Sequence, residues 1–247
     1  MPDKYEVGKK FHDQKAQISK KDFVYSQGVL EKADSYAYRL LEPLENKVVL
    51  DLGCGSGHHT IAFAKRGAYV YGVDISPEMV RKAMKLAEQQ GVANRVTILE
   101  MNAEALEFPD ETFDIVFGHS ILHHLDLEVA RSNIYRVLKK GGKGVFLEPL
   151  GHNVFLNLFR RMTPQRRTPT EKPLRMEDIL LFAEPFSSLS HREFFLLALC
   201  TLPLLFLPGK KLFKKTFSWF PRLDDHFLLR WPGIGRWAWV TVVEVIK

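Results

Sequence analysis

The chain has 247 residues, 46% of them hydrophobic and 26% charged, which suits one globular α/β domain with an elaborated end. Its net charge of +6 permits contact with phosphates, nucleic acid or an anionic membrane, but is modest for a dedicated nucleic-acid binder. Only two cysteines are present, which excludes a disulfide framework and favours reduced thiols in a cytoplasmic protein. The polar N-terminus shows no signal peptide. The longest apolar run, 194–207, is too short to span a membrane.

Residues 1–46 are predicted to form an N-terminal helical cover, in which a polar arm precedes a helix at about 26–41. From residue 47 to residue 150, short β-branched runs alternate with amphipathic stretches. Five strands are predicted there, at 47–52, 68–73, 95–100, 113–118 and 142–148. Their nearly continuous hydrophobic character is typical of parallel strands buried on both faces. Strand–helix alternation therefore predicts an α/β fold with a doubly wound, mostly parallel sheet.

Three helices are predicted between these strands, at 58–67, 76–91 and 127–142. In the second of them, Ser76 is placed to cap the N-terminus, Pro77 suits the first turn, and Gly91 suits a left-handed C-terminal cap. The third is predicted to close with Lys139, Lys140 and Gly141.

A glycine-rich turn joins the first strand to the first of these helices, with the sequence VVLDLGCGSG at 48–57. Its glycines let the backbone turn sharply and approach a ligand, a pattern that dinucleotide dehydrogenases share. Asp51 precedes the first glycine by two residues, where a carboxylate can orient an ammonium group and would repel a diphosphate. Asp74 ends the second strand, placed for a ribose diol or, alternatively, for the turn before Ser76.

This turn is followed in order by VYGVDISPEMV, MNAEALEFPDETFDIVFGHSILHHL and IYRVLKKGGKGVFLEPL. Together the four segments resemble the motif set of the class I S-adenosylmethionine (SAM)-dependent methyltransferases, particularly those acting on small molecules. The resemblance covers about 47–150. It implies a Rossmann-like sheet of seven strands with an antiparallel last strand, with SAM as cofactor and S-adenosylhomocysteine as product.

By this resemblance the glycines cradle the methionine part of SAM, Asp74 holds the ribose, Ile75 lies beside the adenine, and 102–104 form the adenine-side loop. Asn102 stands where the family often has Asp, and an amide can still face an adenine edge. The implied cofactor contacts are Asp51, Gly53, Cys54, Gly55, Gly57, Asp74, Ile75, Asn102, Ala103, Glu104 and His119.

Methyl transfer from a sulfonium requires an in-line arrangement and, for a hydroxyl or acidic carbon, removal of a proton. His119, His123 and His124 follow the fourth strand at the sheet edge where ligands bind, and they are predicted as catalytic candidates because imidazole titrates near neutrality. Alternatively, one of them packs and another caps the next helix. His58 and His59 are interpreted as supports of the cofactor loop. No metal site is predicted, because the histidines lack cysteine partners and no carboxylate stands at a recognised spacing.

By the same resemblance, residues 151–236 are predicted to form acceptor-side insertions and a lid. The alternating, β-branched stretch 237–247 is predicted to be the last strand of a single domain. Glu148 with Arg160, Arg161 and Arg167 is predicted to bind the acceptor; alternatively the arginines pair with nearby carboxylates. Segment 194–220 allows three interpretations: an apolar lid, an interfacial helix on anionic lipid, or a homodimer surface. These interpretations depend on an aromatic helical face and on a nearby group of lysines. The face consists of Phe213, Phe217 and Phe220, and the lysines are Lys210, Lys211, Lys214 and Lys215.

The predicted function is methyl transfer to a hydrophobic or lipid-associated small molecule, with an oxygen acceptor favoured and peripheral membrane contact as one option. The isoelectric point of about 9.2 suggests an RNA methyltransferase as a rival. That rival is disfavoured because Gly-His-Ser-Ile stands after the fourth strand instead of an Asn-Pro-Pro-Tyr type loop. A non-catalytic SAM-binding partner protein is the second rival.

Overall fold

The computed structural model describes residues 4–17, 30–164, 168, 171–206 and 211–247. Within them lies one sheet of seven strands: β1 (Val48–Leu52), β2 (Tyr69–Asp74), β3 (Val96–Glu100), β4 (Phe113–His119), β5 (Leu138–Pro149), β6 (Ser188–Phe194) and β7 (Val240–Ile246). Their order in the sheet is β3-β2-β1-β4-β5-β7-β6, and β7 runs antiparallel to both of its neighbours. The predicted α/β architecture, with its mostly parallel sheet and antiparallel last strand, is confirmed.

The α-helices of the described residues flank this sheet: α1 (Lys4–Gln17), α2 (Glu31–Leu41), α3 (His58–Ala64), α4 (Pro77–Gln89), α5 (Leu127–Val137), α6 (Val154–Met162), α7 (Met176–Ala183) and α8 (Lys211–Arg230). Neighbouring strand residues belong to opposite cores. Val49 packs with Phe63 of α3, whereas Leu50 packs with Ile134 of α5. The strands are thus buried on both faces, as their continuous hydrophobic runs predict.

The ends of α4 follow the predicted capping pattern. Ser76 Oγ accepts a hydrogen bond from the Met79 backbone N–H over 3.2 Å, and Pro77 occupies the first turn. Gly91 follows the helix with φ +69°, a left-handed conformation that costs glycine little. This helix begins at Pro77, shortly after Asp74, the last residue of β2.

Three elements differ from the sequence prediction. The predicted polar arm contains α1, which reaches the sheet through an ion pair of 2.5 Å between Lys9 Nζ and Glu100 Oε1. The third predicted helix ends earlier, at Val137, because Leu138 already pairs with Phe113 as the first residue of β5. Strand β6 was not identified, because as an edge strand with polar, partly exposed residues it lacks the hydrophobic signature of the inner strands.

The apolar C-terminal segment begins in the core of the described structure. Phe194, Phe195 and Ala198 are buried in the same core as α2, and a 3-10 helix spans Leu197–Phe206. The predicted aromatic face falls within α8, but the side chains of its first two phenylalanines and the neighbouring lysines lie outside the described residues. In the described part of the chain, every helix is too short or too polar to cross a membrane.

Candidate functional site

The glycine-rich turn after β1 contains three left-handed residues, with φ +71° at Gly53, +52° at Gly55 and +83° at Gly57. They face different surroundings. A Cβ at Gly53 would lie 2.8 Å from Cδ1 of Ile121, and one at Gly57 would lie 2.8 Å from Cβ of Ala83. A Cβ at Gly55 would meet nothing within 4 Å. Gly53 and Gly57 thus permit close packing, whereas Gly55 borders open space that a side chain would fill.

Asp51 lies in β1 beneath this turn and is only 1% exposed. Thr60 Oγ1 donates a hydrogen bond to its Oδ2 over 2.5 Å. Burial raises the pKa of Asp51 to about 6, while the Thr60 hydroxyl and the nearby His119 oppose that increase. A carboxylate in this position is ionised at neutral pH and lacks the solvation it would have at the surface, so it would gain from an incoming cation.

Asp74 links the second strand to the glycine turn. Its Oδ2 accepts a hydrogen bond from the Gly55 N–H over 2.8 Å, and its Oδ1 accepts one from the Ser76 N–H over 2.9 Å. Burial raises its pKa, and these two backbone hydrogen bonds oppose the increase. The alternative turn role is therefore present, but an ionised carboxylate has about four acceptor positions, so two are left for hydroxyl donors.

The polar side chains after β3 accept hydrogen bonds from backbone N–H groups of this segment and of the N-cap of α5. Asn102 Oδ1 accepts a hydrogen bond from the Glu104 N–H over 2.9 Å, and Glu104 Oε1 accepts one from the Asp126 N–H over 2.6 Å. Ala103 is 8% exposed and packs in the core. The adenine contacts predicted for these three residues stay predictions, since the observed hydrogen bonds are to backbone groups of the protein.

Two further predicted cofactor contacts differ in accessibility. Ile75, after β2, is partly exposed, whereas Cys54 is buried inside the glycine turn. Burial raises the pKa of the Cys54 thiol, which agrees with a small packing residue and opposes a nucleophilic role.

His119 ends β4 within a cluster that combines three elements. Its Nε2 lies 3.2 Å from Oδ1 of Asp34 in α2, and its ring stacks on His59 of α3 with centroids 4.8 Å apart. Tyr38 Oη lies 2.7 Å from His59 Nδ1. Burial lowers the pKa of His59 to about 3, so His59 stays neutral while His119 has a carboxylate beside it.

Sequence reasoning missed Asp34 and Tyr38. Their spacing of four residues places both on one face of α2, which was a usable signal. Nothing in the sequence indicated that this face meets the end of β4.

His123 and His124 lie apart from this cluster, in the loop between β4 and α5. His123 Nδ1 lies 2.7 Å from Glu148 Oε2, and Glu148 Oε1 accepts hydrogen bonds from the N–H groups of Ile121 and Leu122 over 2.9 and 2.8 Å. Glu148 is fully buried, so the bonds observed for it support this loop, and its predicted acceptor contact stays a prediction. His124 Nδ1 lies 3.0 Å from Thr168 Oγ1.

The predicted acceptor arginines belong to α6 and the segment after it. Arg160 donates a hydrogen bond to Asn157 Oδ1 over 2.7 Å, within the helix. Arg161 is exposed, and Arg167 lies outside the described residues. These positions leave acceptor binding by the arginines a prediction.

Comparisons with known proteins concern mainly the central part of the chain. Residues 50–146 match the family model of the methyltransferase domain. The chain is 44% identical over 107 residues to demethylmenaquinone methyltransferase of Lactiplantibacillus plantarum, a match that covers 42% of this chain and 45% of that protein. These matches support a class I SAM-dependent methyltransferase family for the matched part of the chain.

Two further similarities agree with this assignment. The uncharacterized methyltransferase YcgJ of Bacillus subtilis is 39% identical over 101 residues, which are 40% of each chain. The solved structure of geranyl diphosphate C-methyltransferase from Streptomyces coelicolor superposes with a TM-score of 0.66 at 13% identity, covering 100% of this chain and 98% of that one. At this identity the structural match shows the fold alone. The matches to both curated relatives span less than half of each relative's length.

Proposed function

We propose that this chain is an enzyme that transfers the methyl group of SAM to a small-molecule acceptor, with an acceptor oxygen favoured. The observation that carries the proposal is the open space at Gly55, whose N–H bonds to Asp74, in the turn that directly follows the strand of Asp51. A ligand placed there with an ammonium group near Asp51 and a hydroxyl pair near Asp74 matches the two ends of SAM. A diphosphate would meet two negative charges instead.

SAM supplies an electrophilic methyl on a sulfonium centre, so the protein's contributions are alignment and removal of a proton. We assign removal of the proton to His119, because Leu52 of β1 pairs with Gly118 of β4 and His119 therefore lies beside the start of the glycine turn. Asp34, 3.2 Å from Nε2, would stabilise the imidazolium that forms when His119 accepts a proton.

Transfer of label tests the proposed reaction. The purified protein should move a labelled methyl group from SAM into a lipid or aqueous-metabolite extract, and the same protein with Gly55→Val should not. Label confined to an RNA extract would establish the RNA methyltransferase instead. Binding of SAM without transfer into any of the three extracts would establish the non-catalytic partner protein.

The pH dependence of SAM affinity tests the place of the ammonium group. In the free protein Asp51 has a pKa of about 6, and a bound ammonium would lower it. SAM affinity should therefore be constant near pH 7 and above, and should fall by up to about tenfold per pH unit as the pH drops below 6. Calorimetric titration between about pH 5 and about pH 8 measures this decline.

Asp51→Asn is the matched control, since it keeps the size of the side chain and removes the charge. It should bind SAM more weakly and lose the decline that begins near pH 6. An identical profile for this variant and the parent protein would show that Asp51 does not hold the ammonium group.

The surface of α6 supports a hydrophobic, membrane-borne acceptor. Val154, Phe155, Leu158 and Met162 lie on one face of the helix and are 65%, 82%, 55% and 69% exposed. Exposed Arg161 borders this face by helical position, and the chain carries a net charge of +6. An apolar helix face bordered by positive charge is suited to an anionic lipid surface.

Liposome flotation tests this contact. The protein should float with vesicles containing phosphatidylserine, and binding should weaken as salt screens the attraction. Phe155→Ser combined with Leu158→Ser should abolish flotation, whereas Leu180→Ser, an exposed apolar position on α7, should not. If the parent protein stays unbound at low salt, the lipid-associated acceptor is excluded.

A further inference from the structure

Three side chains from two distant parts of the sequence converge beside the loop after β4. His123, His124 and Glu171 each present one potential ligand atom, and the three atoms lie within 4.8 Å of one another. The two imidazole rings have centroids 4.1 Å apart. The Lys172 N–H donates a hydrogen bond to the His123 carbonyl over 2.8 Å, which fixes the segment of Glu171 against the histidines.

Each imidazole has an oxygen partner at its Nδ1 atom. Glu148 Oε2 lies 2.7 Å from Nδ1 of His123, and Thr168 Oγ1 lies 3.0 Å from Nδ1 of His124. These contacts orient the two rings. Metal-binding histidines in proteins are commonly oriented in this way, through a hydrogen bond from the second ring nitrogen to a carboxylate or another oxygen.

We propose that His123, His124 and Glu171 bind a divalent transition-metal ion of the zinc class. Two imidazoles and one carboxylate form a donor set that suits Zn²⁺ or Co²⁺ and leaves a fourth position open. Bonds of about 2.1 Å would bring the ligand atoms to roughly 3.4 Å apart, so a small inward rotation of the side chains accompanies binding. The ion also supplies positive charge near the buried carboxylate of Glu148, which is fully excluded from solvent.

The open position gives the site a role in acceptor binding, and this step rests on the proposed function. The site follows β4, at the same sheet edge as His119. An oxygen of the acceptor would fill the fourth position, which favours acceptors with an ionisable hydroxyl or a carboxylate. The sequence alone predicts no metal site, and Glu171 is brought beside the two histidines only by the fold.

Metal titration tests the site without SAM or acceptor. The full chain, freed of any polyhistidine tag and dialysed against chelator, should bind one equivalent of Co²⁺ with the visible absorption of a tetrahedral complex, and Zn²⁺ should displace it. His124→Ala and Glu171→Gln should weaken Zn²⁺ binding at least 100-fold. Glu148→Gln should weaken it about 10- to 100-fold, as loss of an outer hydrogen bond does.

His226→Ala is the control, because this exposed histidine of α8 lies outside the cluster and its loss should leave metal affinity unchanged. Retained SAM affinity in every variant would show that each is folded. Binding below one equivalent, or equal Zn²⁺ affinity in the parent and the cluster variants, would mean adventitious binding and overturn the site. A parent protein that binds Zn²⁺ but transfers no methyl group would overturn the proposed function alone.

Discussion

Replacing Gly55 by valine should weaken SAM binding at least 100-fold while the protein stays folded. The valine side chain would occupy the open space above the turn, and a β-branched residue at φ +52° would also shift the backbone whose N–H bonds to Asp74. Calorimetric titration with SAM measures the loss, and circular dichroism checks the fold.

Gly91→Val is the matched control for this experiment. Gly91 also has a positive φ and open space around its Cβ position, but it follows α4, away from the glycine turn. Both substitutions should cost a similar amount of stability, about 1–3 kcal/mol, and only the one at Gly55 should affect SAM binding.

Asp74→Ala should weaken SAM binding about 10- to 150-fold, because charge-assisted hydrogen bonds are lost. Unchanged SAM affinity in folded Gly55→Val and Asp74→Ala proteins would refute the cofactor site.

Replacing His119 by alanine should lower turnover by about 10²- to 10⁴-fold and leave SAM affinity within a few fold of the parent value. The loss would come from the proton-accepting imidazole, not from cofactor contacts. Asp34→Asn should lower turnover less, because the imidazolium that forms when His119 accepts a proton loses its neighbouring charge. Steady-state kinetics across pH separates these effects.

His191→Ala serves as the control, because His191 lies in edge strand β6 and pairs with Glu193. His123→Ala tests the alternative base, although its Nδ1 already contacts Glu148. Near-normal rates at every pH for both the His119 and the His123 variants would show that the enzyme works by positioning alone.

The sheet and the glycine turn could be predicted because their signals are local. Strand residues such as Val49 and Leu50 face opposite cores, so continuous hydrophobic runs identify buried parallel strands. The turn requires glycine at defined positions, and an acidic residue, Asp74, ends the next strand. Each of these features depends on a few residues that are close in sequence, so it can be identified before the fold is known.

The surroundings of the histidines could not be predicted because they depend on distant elements. Asp34 reaches His119 from α2, and Glu171 reaches His124 from beyond α6. For a related reason, hydrophobicity alone could not show that residues such as Phe195, at the start of the apolar segment after β6, occupy core positions. An exposed apolar face lies on α6, where arginines between apolar residues obscured the pattern.

The most direct test of the cofactor assignment is a pair of titrations of the same purified protein, one with SAM and one with NAD⁺. The carboxylates of Asp51 and Asp74 beside the open space at Gly55 predict that SAM binds at one equivalent, that S-adenosylhomocysteine competes with it, and that NAD⁺ shows no binding. Binding of NAD⁺ together with failure to bind SAM would contradict the assignment.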